Sequence, residues 1–433
     1  MDDAPLNEGV PSNFRGVIPA CQTSSLVKYL EYCPGRDRFV YTRLHDLGQA
    51  GGFLVIGLFG NPTNWFGADG TGTPPLSALI PDLHRILDQH TGLQLLIDYS
   101  FEAGLGQAFF SGVDAFIGDL RIDPSRVVAV VTNQGIEDRH ARYLRTQNRT
   151  ATESFRTIGL DFWLMYSGIE FERKHWYGHQ EALVRDAEVD ASHHAHRSRK
   201  FLSFNRRPRW HRYLLGMMIE QFGLRADGLV SMSSPSYRGD WASEDGSIDT
   251  YGALMAPEAW DAIRGERDRL MQSLPWSLDI NMDDNSGQPE SYLYGTQSRD
   301  LFLNSYCQII TESYMEGERD DVFITEKTCR SLANLQPFLV FGHAQTLKRL
   351  RQYGFADCSI FDSSYDDMTD IGHRLTALHR NVSRLNSLPF RDLHEGYFDN
   401  LEALRHNRAR LFEMPGILAA RLASRLQAEL SVR

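Results

Sequence analysis

The stretch FLSFNRRPRWHRYLL, Phe201 to Leu215, joins a short apolar run to a helical pattern through four arginines and a histidine. A short apolar run bounded by turn residues is typical of a buried strand. Pro208 suits the first turn of a helix, where its missing N–H costs nothing. The stretch therefore predicts a strand, a cationic turn and a helix, which is the repeating unit of an α/β fold.

The same alternation of strand and helix patterns extends to both sides of this stretch. Predicted strands before it are GGFLVIGLFGN (51–61), LQLLIDYS (93–100), RVVAVVTNQG (126–135) and FWLMYSGIEF (162–171). Predicted strands after it lie in ADGLVSMSS (226–234), LNSYCQIITES (303–313), VFIT (322–325) and QPFLVFG (336–342). Nearly continuous apolar runs of this length favour buried parallel strands, so the sequence predicts two α/β domains with a cleft between them.

The boundaries of these domains follow from composition. The polar, histidine-rich segment 189–200 reads as a linker, which places an N-terminal α/β domain at 1–195 and a second α/β domain at 196–360. Residues 361–433 carry mostly helical patterns. We expect this last segment to pack back on the first domain.

Charge and hydropathy narrow the classes of function. The chain has 45 basic and 56 acidic residues, a formal net charge of -11, and no apolar run near the roughly 18 residues of a membrane span. General nucleic-acid binders are usually basic, so local positive charge here favours a pocket for a compact anion. The start of the chain, MDDAPLNEGV, is acidic and polar rather than signal-like, and we expect a cytoplasmic protein.

Metal and disulfide chemistry are weakly signalled. The five cysteines are odd in number and show no CxxC spacing. His193, His194 and His196 are crowded but lie in a polar segment, and the acidic run NMDDN (281–285) lacks a preceding apolar strand, so we interpret both as solvated. We expect no required cofactor, with the need for a divalent metal left open.

The arginines of the opening stretch are the first candidate ligand-binding residues. Arg206, Arg207 and Arg209 follow a predicted strand and precede a predicted helix. Ligands of open α/β sheets bind at the carboxyl ends of strands, and helix N-termini favour anions. Guanidinium groups there would hold a diphosphate; the alternative is that they pair with carboxylates of their own fold.

A second candidate site lies in DDVFITEKTCRSLANLQPFLVFG, Asp320 to Gly342. Thr325 is a plausible N-cap, which puts Glu326 and Lys327 in the first turn of a helix. A cation at a helix N-terminus opposes the helix dipole unless an anion lies between them. Only five of the 45 basic residues are lysines, so Lys327 is an unusual choice in this chain, and we predict that it contacts a phosphate.

The segment LNSYCQIITES followed by FITEKTCRSLANLQPFLVFG resembles the donor-binding signature of the α1,3-fucosyltransferase family and, more loosely, that of exostosin-like glycosyltransferases. The resemblance implies a GT-B fold, with two Rossmann-like domains of which the C-terminal one holds a nucleotide sugar. It implies that Glu326 bonds the ribose, that Lys327 and an arginine of NRRPR contact the diphosphate, and that Asn304 and Tyr306 lie on the nucleotide side.

The acceptor side is assigned to the first domain. Asp98 and Glu102 lie at or just beyond the predicted strand LQLLIDYS, and either can serve as the base that an inverting transfer needs, with Glu102 preferred. The turn Gly57 to Trp65 can contact acceptor hydroxyls, and Trp65 either stacks on a sugar or packs in the core. Glu312, at the end of a donor-domain strand, either binds sugar hydroxyls or pairs with an arginine of 206–209.

These observations favour an enzyme that moves a sugar from a nucleotide-diphosphate donor, with a GDP-linked donor as one candidate, to a glycan or other hydroxyl acceptor. Paired arginine and lysine side chains can stabilise the leaving diphosphate without a metal, so we expect a metal-independent and inverting transferase, and the resemblance implies a fucosyltransferase-like one. The alternative is a noncatalytic nucleotide- or carbohydrate-binding protein on the same scaffold. An enzyme that glycosylates a nucleic-acid base is a third reading, and the net charge counts against it.

Overall fold

The computed structural model describes part of the chain, and all structural statements concern that part. The described residues are 15–17, 26, 30, 40–41, 52–58, 76–100, 107–173, 183–235, 241–278, 299–317 and 321–431. They divide into two compact units, one of residues 1–169 and 413–433 and the other of residues 170–412. The domain boundaries predicted at 195/196 and 360/361 both fall inside the second unit.

The first unit contains a six-stranded sheet in the order β2-β1-β3-β4-β5-β6, with every pair parallel. Its strands are β1 Arg15–Val17, β2 Val40–Tyr41, β3 Gly52–Gly57, β4 Leu93–Tyr99, β5 Val127–Val131 and β6 Arg156–Gly159. Strands β3, β4 and β5 are buried at every position, as expected for parallel strands covered on both faces. The strands predicted at 51–61, 93–100 and 126–135 are therefore confirmed.

Helices connect and cover these strands. They are α1 Leu76–Gln89, α2 Gln107–Leu120, α3 Ile136–Thr146 and α4 Phe162–Arg173. The strand predicted at FWLMYSGIEF is wrong, because this run forms α4. Residues 162–169 of α4 are all buried, and a helix that is buried all round reads in sequence like a buried strand.

The second unit contains a four-stranded parallel sheet in the order β10-β9-β7-β8. The strands are β7 Arg199–Asn205, β8 Gly228–Met232, β9 Ser305–Thr311 and β10 Phe338–Phe341. They correspond to predicted strands of the second half, and the α/β class is confirmed. Residues 321–325 form no strand, so the short strand predicted at VFIT is wrong; the run leads directly into a helix.

Most helices of the second unit contribute to an apolar core among the described residues. The helices are α5 Asp186–Ala191, α6 Trp210–Gln221, α7 Trp241–Gly252, α8 Pro257–Arg264, α9 Arg267–Ser273, α10 Arg299–Leu303, α11 Glu326–Ala333, α12 Thr346–Gln352, α13 Ile371–Ser387, α14 Phe390–Asp399 and α15 Leu401–Ser431. Helix α6 begins at Trp210 with Arg209 as its N-cap. Pro208 therefore precedes the helix instead of lying in its first turn, a boundary shift of the size usual for such predictions.

The closing helix α15 contributes to both units, since its residues up to Phe412 belong to the second unit and those from Glu413 belong to the first. Within the first unit, Arg425 pairs with Glu137 at 2.6 Å, and the Glu429 carboxylate pairs with Arg156. The C-terminal helical segment thus returns to the first unit, as predicted. Among the described residues, no helix combines the length and apolar character that a membrane span requires.

Candidate functional site

Most of the site candidates of the second unit, though not Asn304 and Tyr306, lie at the carboxyl ends of β7 and β9. These neighbouring strands carry a buried polar network in which Thr311 Oγ1 donates to Asn205 Oδ1 at 2.7 Å. The Asn205 amide in turn donates to Ser203 Oγ at 3.0 Å and to the Ser231 carbonyl at 3.3 Å. Because these side chains hydrogen-bond to one another, the network fixes the starting points of the two loops that follow β7 and β9.

The first of these loops leads into the N-terminus of α6, where the chain holds a carboxylate of its own. Glu244, from the first turn of α7, accepts a hydrogen bond from Arg209 Nη1 at 2.9 Å and one from the Trp210 backbone N–H at 2.8 Å. Helix N-termini favour negative charge, and guanidinium groups form strong charge-assisted bonds to carboxylates. For Arg209, the structure therefore favours the alternative in which an arginine pairs within its own fold.

The second loop leads into the N-terminus of α11, which also holds a carboxylate. Glu312 follows β9, and its side chain has no exposed area. It accepts hydrogen bonds from the Thr325 backbone N–H at 3.1 Å, from Thr328 Oγ1 at 2.6 Å and from the Thr325 hydroxyl. Glu312 is thus a buried cap of α11, bonded to threonines rather than directly to an arginine of 206–209.

Lys327 lies next to this cap, with 20% of its side chain exposed. Its ammonium group donates to Glu326 Oε1 at 2.9 Å, to Thr325 Oγ1 at 3.0 Å and to Ser313 Oγ at 3.2 Å, and lies 4.0 Å from Glu312 Oε2. The anion that the helix dipole requires between α11 and this cation is therefore supplied by Glu312 and Glu326. Burial raises the pKa of Glu326, but Lys327 and Arg330 outweigh burial and hold that pKa below its usual value.

The two helix N-termini meet in the first turn of α6. His211 Nε2 donates to the Glu312 carbonyl at 2.9 Å, which ties α6 to the end of β9. Burial, aided by Arg212, places the pKa of His211 well below its usual value, so the imidazole is neutral. Burial and Arg209 lower the pKa of Arg212 to about 10, while Glu326 and Glu312 oppose the shift. Arg212 is thus a cation that interacts electrostatically with charged residues of both candidate sites.

Two polar atoms of this turn stand out by their surroundings. His211 Nδ1 and Arg212 Nε are buried and have no hydrogen-bond partner among the residues that the structure describes. Arg212 does anchor the arginine loop, because its Nη1 donates to the Arg207 carbonyl at 2.9 Å. Buried polar atoms are nearly always paired in folded proteins, so these two atoms indicate a turn built to accept further polar contacts.

The remaining predicted arginines lie in the loop between β7 and α6. Arg207 is exposed, Arg206 is half-buried, and both precede the N-cap of α6. Their position at a strand end and before a helix N-terminus matches the prediction. The structure thus brings Arg206, Arg207 and Arg209 to the same sheet edge as Glu312 and the 325–327 turn.

Sequence reasoning missed Arg212, His211 and Glu244. Arg212 lies three residues after Arg209, and this helical spacing was a usable signal for a shared position. His211 carried no such signal, because it lies two residues after Arg209, a separation that places side chains on different faces of a helix. Glu244 carried no signal, because it comes from a helix 35 residues further along the chain and reaches the site through tertiary packing.

Asn304 and Tyr306 lie at the opposite end of β9 from this site. Asn304 is exposed immediately before the strand, and its amide donates to the Asp300 carbonyl at 2.8 Å. Tyr306 is fully buried, and its hydroxyl accepts from the Arg197 N–H at 2.8 Å and lies 3.1 Å from His394 Nδ1. The seven residues of β9 span about 20 Å at the usual rise of a strand, so the structure does not bring this pair together with Lys327.

The crowded histidines also belong to that amino-terminal end. His193 and His194 lie with ring centroids 5.4 Å apart, and the His196 and His394 rings are 4.8 Å apart. Among the described residues, no group of three or more histidine, cysteine, aspartate or glutamate side chains is arranged to hold a metal ion. The histidines instead pack around helix α14, where Phe398 contacts the His193 ring.

In the first unit, Asp98 ends β4 and is buried. Its Oδ2 accepts from the Leu26 N–H and its Oδ1 from the Ser100 N–H, both at 3.0 Å. Both carboxylate oxygens therefore already bind backbone donors. Glu102, most of the turn 57–65 with Trp65, and the acidic run 281–285 lie outside the described residues.

Comparisons with known proteins give only remote likenesses. No protein-family model and no curated protein sequence matches the chain. The chain is similar to an alpha,alpha-trehalose-phosphate synthase (UDP-forming) from Burkholderia vietnamiensis at 10% identity and a TM-score of 0.41, covering 95% of this chain and 100% of that chain.

Two further solved structures are similar at the same level. An alpha,alpha-trehalose 6-phosphate synthase from Burkholderia multivorans shows 10% identity and a TM-score of 0.38, covering 88% of this chain and 74% of that chain. The trehalose-6-phosphate synthase OtsA shows 11% identity and a TM-score of 0.37, covering 95% and 98%. At these scores the likenesses carry no argument about this chain, whose reading rests on its own residues.

Proposed function

We propose that this chain is a glycosyltransferase that moves a sugar from a nucleotide-diphosphate donor to a hydroxyl acceptor. The two α/β units, each with a parallel sheet, fit the GT-B type. The resemblance of residues 303–342 to the fucosyltransferase signature supports a fucosyltransferase-like donor site and a transfer that is inverting and independent of metal. The observation that carries the proposal is that the arginine loop and the turn at 325–327 lie at the same end of the sheet, where His211 of α6 bonds to the Glu312 carbonyl at 2.9 Å.

The proposed donor site follows from the charges at this edge. Arg206, Arg207 and Arg209 approach from the α6 side, and Lys327 approaches from the α11 side. A diphosphate carries charge on two phosphates, so it fits a site whose cations come from two neighbouring loops better than a single phosphate does. As the sugar leaves, negative charge grows on the diphosphate, and cations already in place stabilise that charge without rearrangement.

The other residues take supporting roles in the proposal. Glu326 is ionised and lies beside Lys327 at 2.9 Å, which suits a carboxylate that accepts bonds from ribose hydroxyls. Glu312 holds the turn of residues 325–328 in place through its bonds to the threonines. Asn304 and Tyr306 have no place in this donor site, because they lie at the other end of β9.

The acceptor and the base are proposed for the first unit. Glu102 remains the preferred base, since both oxygens of Asp98 already accept backbone N–H groups. Protonation of that carboxylate would weaken these two bonds, because an ionised oxygen is the stronger acceptor. Asp98 is therefore better suited to hold the end of β4 than to react.

A cytoplasmic location of the protein also stays a prediction.

The test is a thermal-shift panel with GDP, UDP, CDP, dTDP and ADP, each with and without magnesium. We expect the nucleoside diphosphate with one particular base to raise the unfolding midpoint of the wild type. We expect this rise to disappear in Lys327→Ala. The matched control is Lys348→Ala, because Lys348 is a lysine of the same unit that donates to Gln345 Oε1 and lies on α12.

The outcomes separate the alternatives. If no nucleotide shifts the wild type, or if Lys327→Ala responds as the wild type does, the diphosphate assignment is wrong. Binding without sugar transfer to any of a panel of glycan acceptors would instead support the noncatalytic nucleotide-binding protein. A Glu102→Gln variant that binds the nucleotide but transfers no sugar would support the enzyme and its base together.

A further inference from the structure

The proposed donor site already contains an anion, and that anion is Glu244. Its two oxygens accept one bond from the Arg209 guanidinium and one from the Trp210 N–H. Two oxygens of a phosphate group bind a guanidinium and a helix N-terminus in the same way. The carboxylate of Glu244 therefore makes the contacts that we assign to one phosphate of the donor.

A phosphate and Glu244 cannot both keep these contacts. Arg209 Nη1 and the Trp210 N–H are engaged with the carboxylate at 2.9 Å and 2.8 Å, and two anions at one N–H would repel each other. We propose that Glu244 is an internal competitor of the donor diphosphate, released from the α6 N-terminus when the diphosphate binds. This inference rests on the proposed function, because it concerns the same site.

The bonds of Glu244 suit an exchangeable group. The Arg209 side chain is 32% exposed and the Glu244 side chain 10% exposed, so water reaches the pair when it opens. Solvent therefore screens the pair from the arginine side, although Glu244 itself is buried. Glu244 also comes from a separate helix, α7, so its release does not require α6 or β7 to move.

The rest of α7 is held by contacts that do not involve this carboxylate. Asp245, the neighbour of Glu244, pairs with Arg267, and so does Asp249 at 2.8 Å. The ring of Tyr251 stacks on Trp210 with centroids 4.1 Å apart. Release of Glu244 therefore removes one tie of the first turn of α7, while the other contacts keep the helix attached.

A built-in competitor also affects which anions bind. A single phosphate meets only the α6 side and must displace Glu244 with that contact alone. A diphosphate also reaches Lys327 on the α11 side, and this second contact offsets the cost of displacement. Glu244 therefore lowers the affinity for both anions by the same factor, and only an anion with the second contact keeps substantial affinity for the wild type.

The experiment measures binding of inorganic pyrophosphate and inorganic phosphate to the full chain by calorimetry in metal-free buffer. Glu244→Gln removes the charge but keeps an oxygen that can accept from the Trp210 N–H. We expect pyrophosphate and phosphate each to bind this variant about tenfold more tightly than they bind the wild type, because both must displace the same carboxylate. The control is Asp249→Asn, which removes the same charge from the same helix, and we expect its affinities to stay within about twofold of wild type.

If Glu244→Gln and the wild type bind pyrophosphate equally, the competitor role is overturned while the donor site stands. Absence of pyrophosphate binding in both proteins would overturn the donor site and the competitor together. If the variant does not fold, hydrogen exchange of the wild type with bound pyrophosphate still tests the proposal. Hydrogen exchange in residues 244–248 should become faster when pyrophosphate saturates the wild type, and unchanged or slower exchange there would contradict the release.

Discussion

The N-termini of α6 and α11 lie at one sheet edge, and each holds a glutamate, but the two glutamates are held differently. Glu312 is completely buried and accepts from one backbone N–H and two hydroxyls. Glu244 is slightly exposed and accepts from one backbone N–H and one guanidinium. Neutral donors fixed on α11 make the first carboxylate part of the helix. The partly exposed Arg209 makes the Glu244 carboxylate replaceable.

The largest expected effect tests whether Glu312 is structural. Glu312→Ala should lower the free energy of unfolding by about 3 kcal/mol, because it leaves the buried Thr325 and Thr328 groups without their acceptor. Glu244→Ala should cost only about 1 kcal/mol, the usual value of a lost helix cap. Urea unfolding followed by tryptophan fluorescence gives both values. Equal losses for the two variants would remove the distinction between the two carboxylates.

An intermediate effect concerns acid stability and the Glu326–Lys327 pair. Because the folded-state pKa of Glu326 is lowered, its contribution to stability is present above the unfolded value of 4.5 and is lost as pH falls through the lower folded pKa. Lys327→Ala removes a cation that opposes the effect of burial, so that pKa should rise.

We therefore expect the thermal midpoint of Lys327→Ala to begin falling at a less acidic pH than that of the wild type. Midpoints recorded between pH 3 and pH 7 check this, with Lys348→Ala as the variant that should follow the wild type. Coinciding profiles for all three proteins would mean that Arg330 alone keeps Glu326 ionised.

The smallest effect sharpens the account of α11. Thr325 is the N-cap of this helix, and its hydroxyl accepts from the Lys327 N–H at 3.4 Å. Thr325→Ala should cost about 1 kcal/mol, whereas Thr325→Ser keeps the hydroxyl and should cost less. Thermal unfolding of the two variants provides the comparison. A serine variant as unstable as the alanine variant would show that the methyl group, rather than the hydroxyl, matters here.

Much of this architecture could be predicted from the sequence, because buried parallel strands leave short, continuous apolar runs. β3, β4, β5 and β7 to β10 were predicted in this way, as was Thr325 as a cap. The run at 162–171 was predicted as a strand because a helix buried on all sides is apolar at most positions too. Periodicity cannot separate the two.

The site was harder to predict than the fold, for reasons of direction and distance. The motif around β9 names residues at both ends of one strand, so Asn304 and Glu312 appear close in sequence yet lie at opposite edges of the sheet. The pairing of Arg209 with Glu244 depends on how α7 packs against α6. Neither the charge pattern nor the helix signals of the sequence specify that packing.

The return of α15 to the first unit has a consequence for the order of synthesis. Arg156 bonds to Glu429, which lies 273 residues further along the chain, and Gln94 Nε2 donates to the Glu429 carbonyl at 3.2 Å. A ribosome adding about 5 to 20 residues per second needs about 15 to 55 seconds to cover that interval. During this time the first unit lacks part of its own structure, while the second unit is synthesised in between. The nascent first unit therefore completes its structure only when the end of α15 emerges.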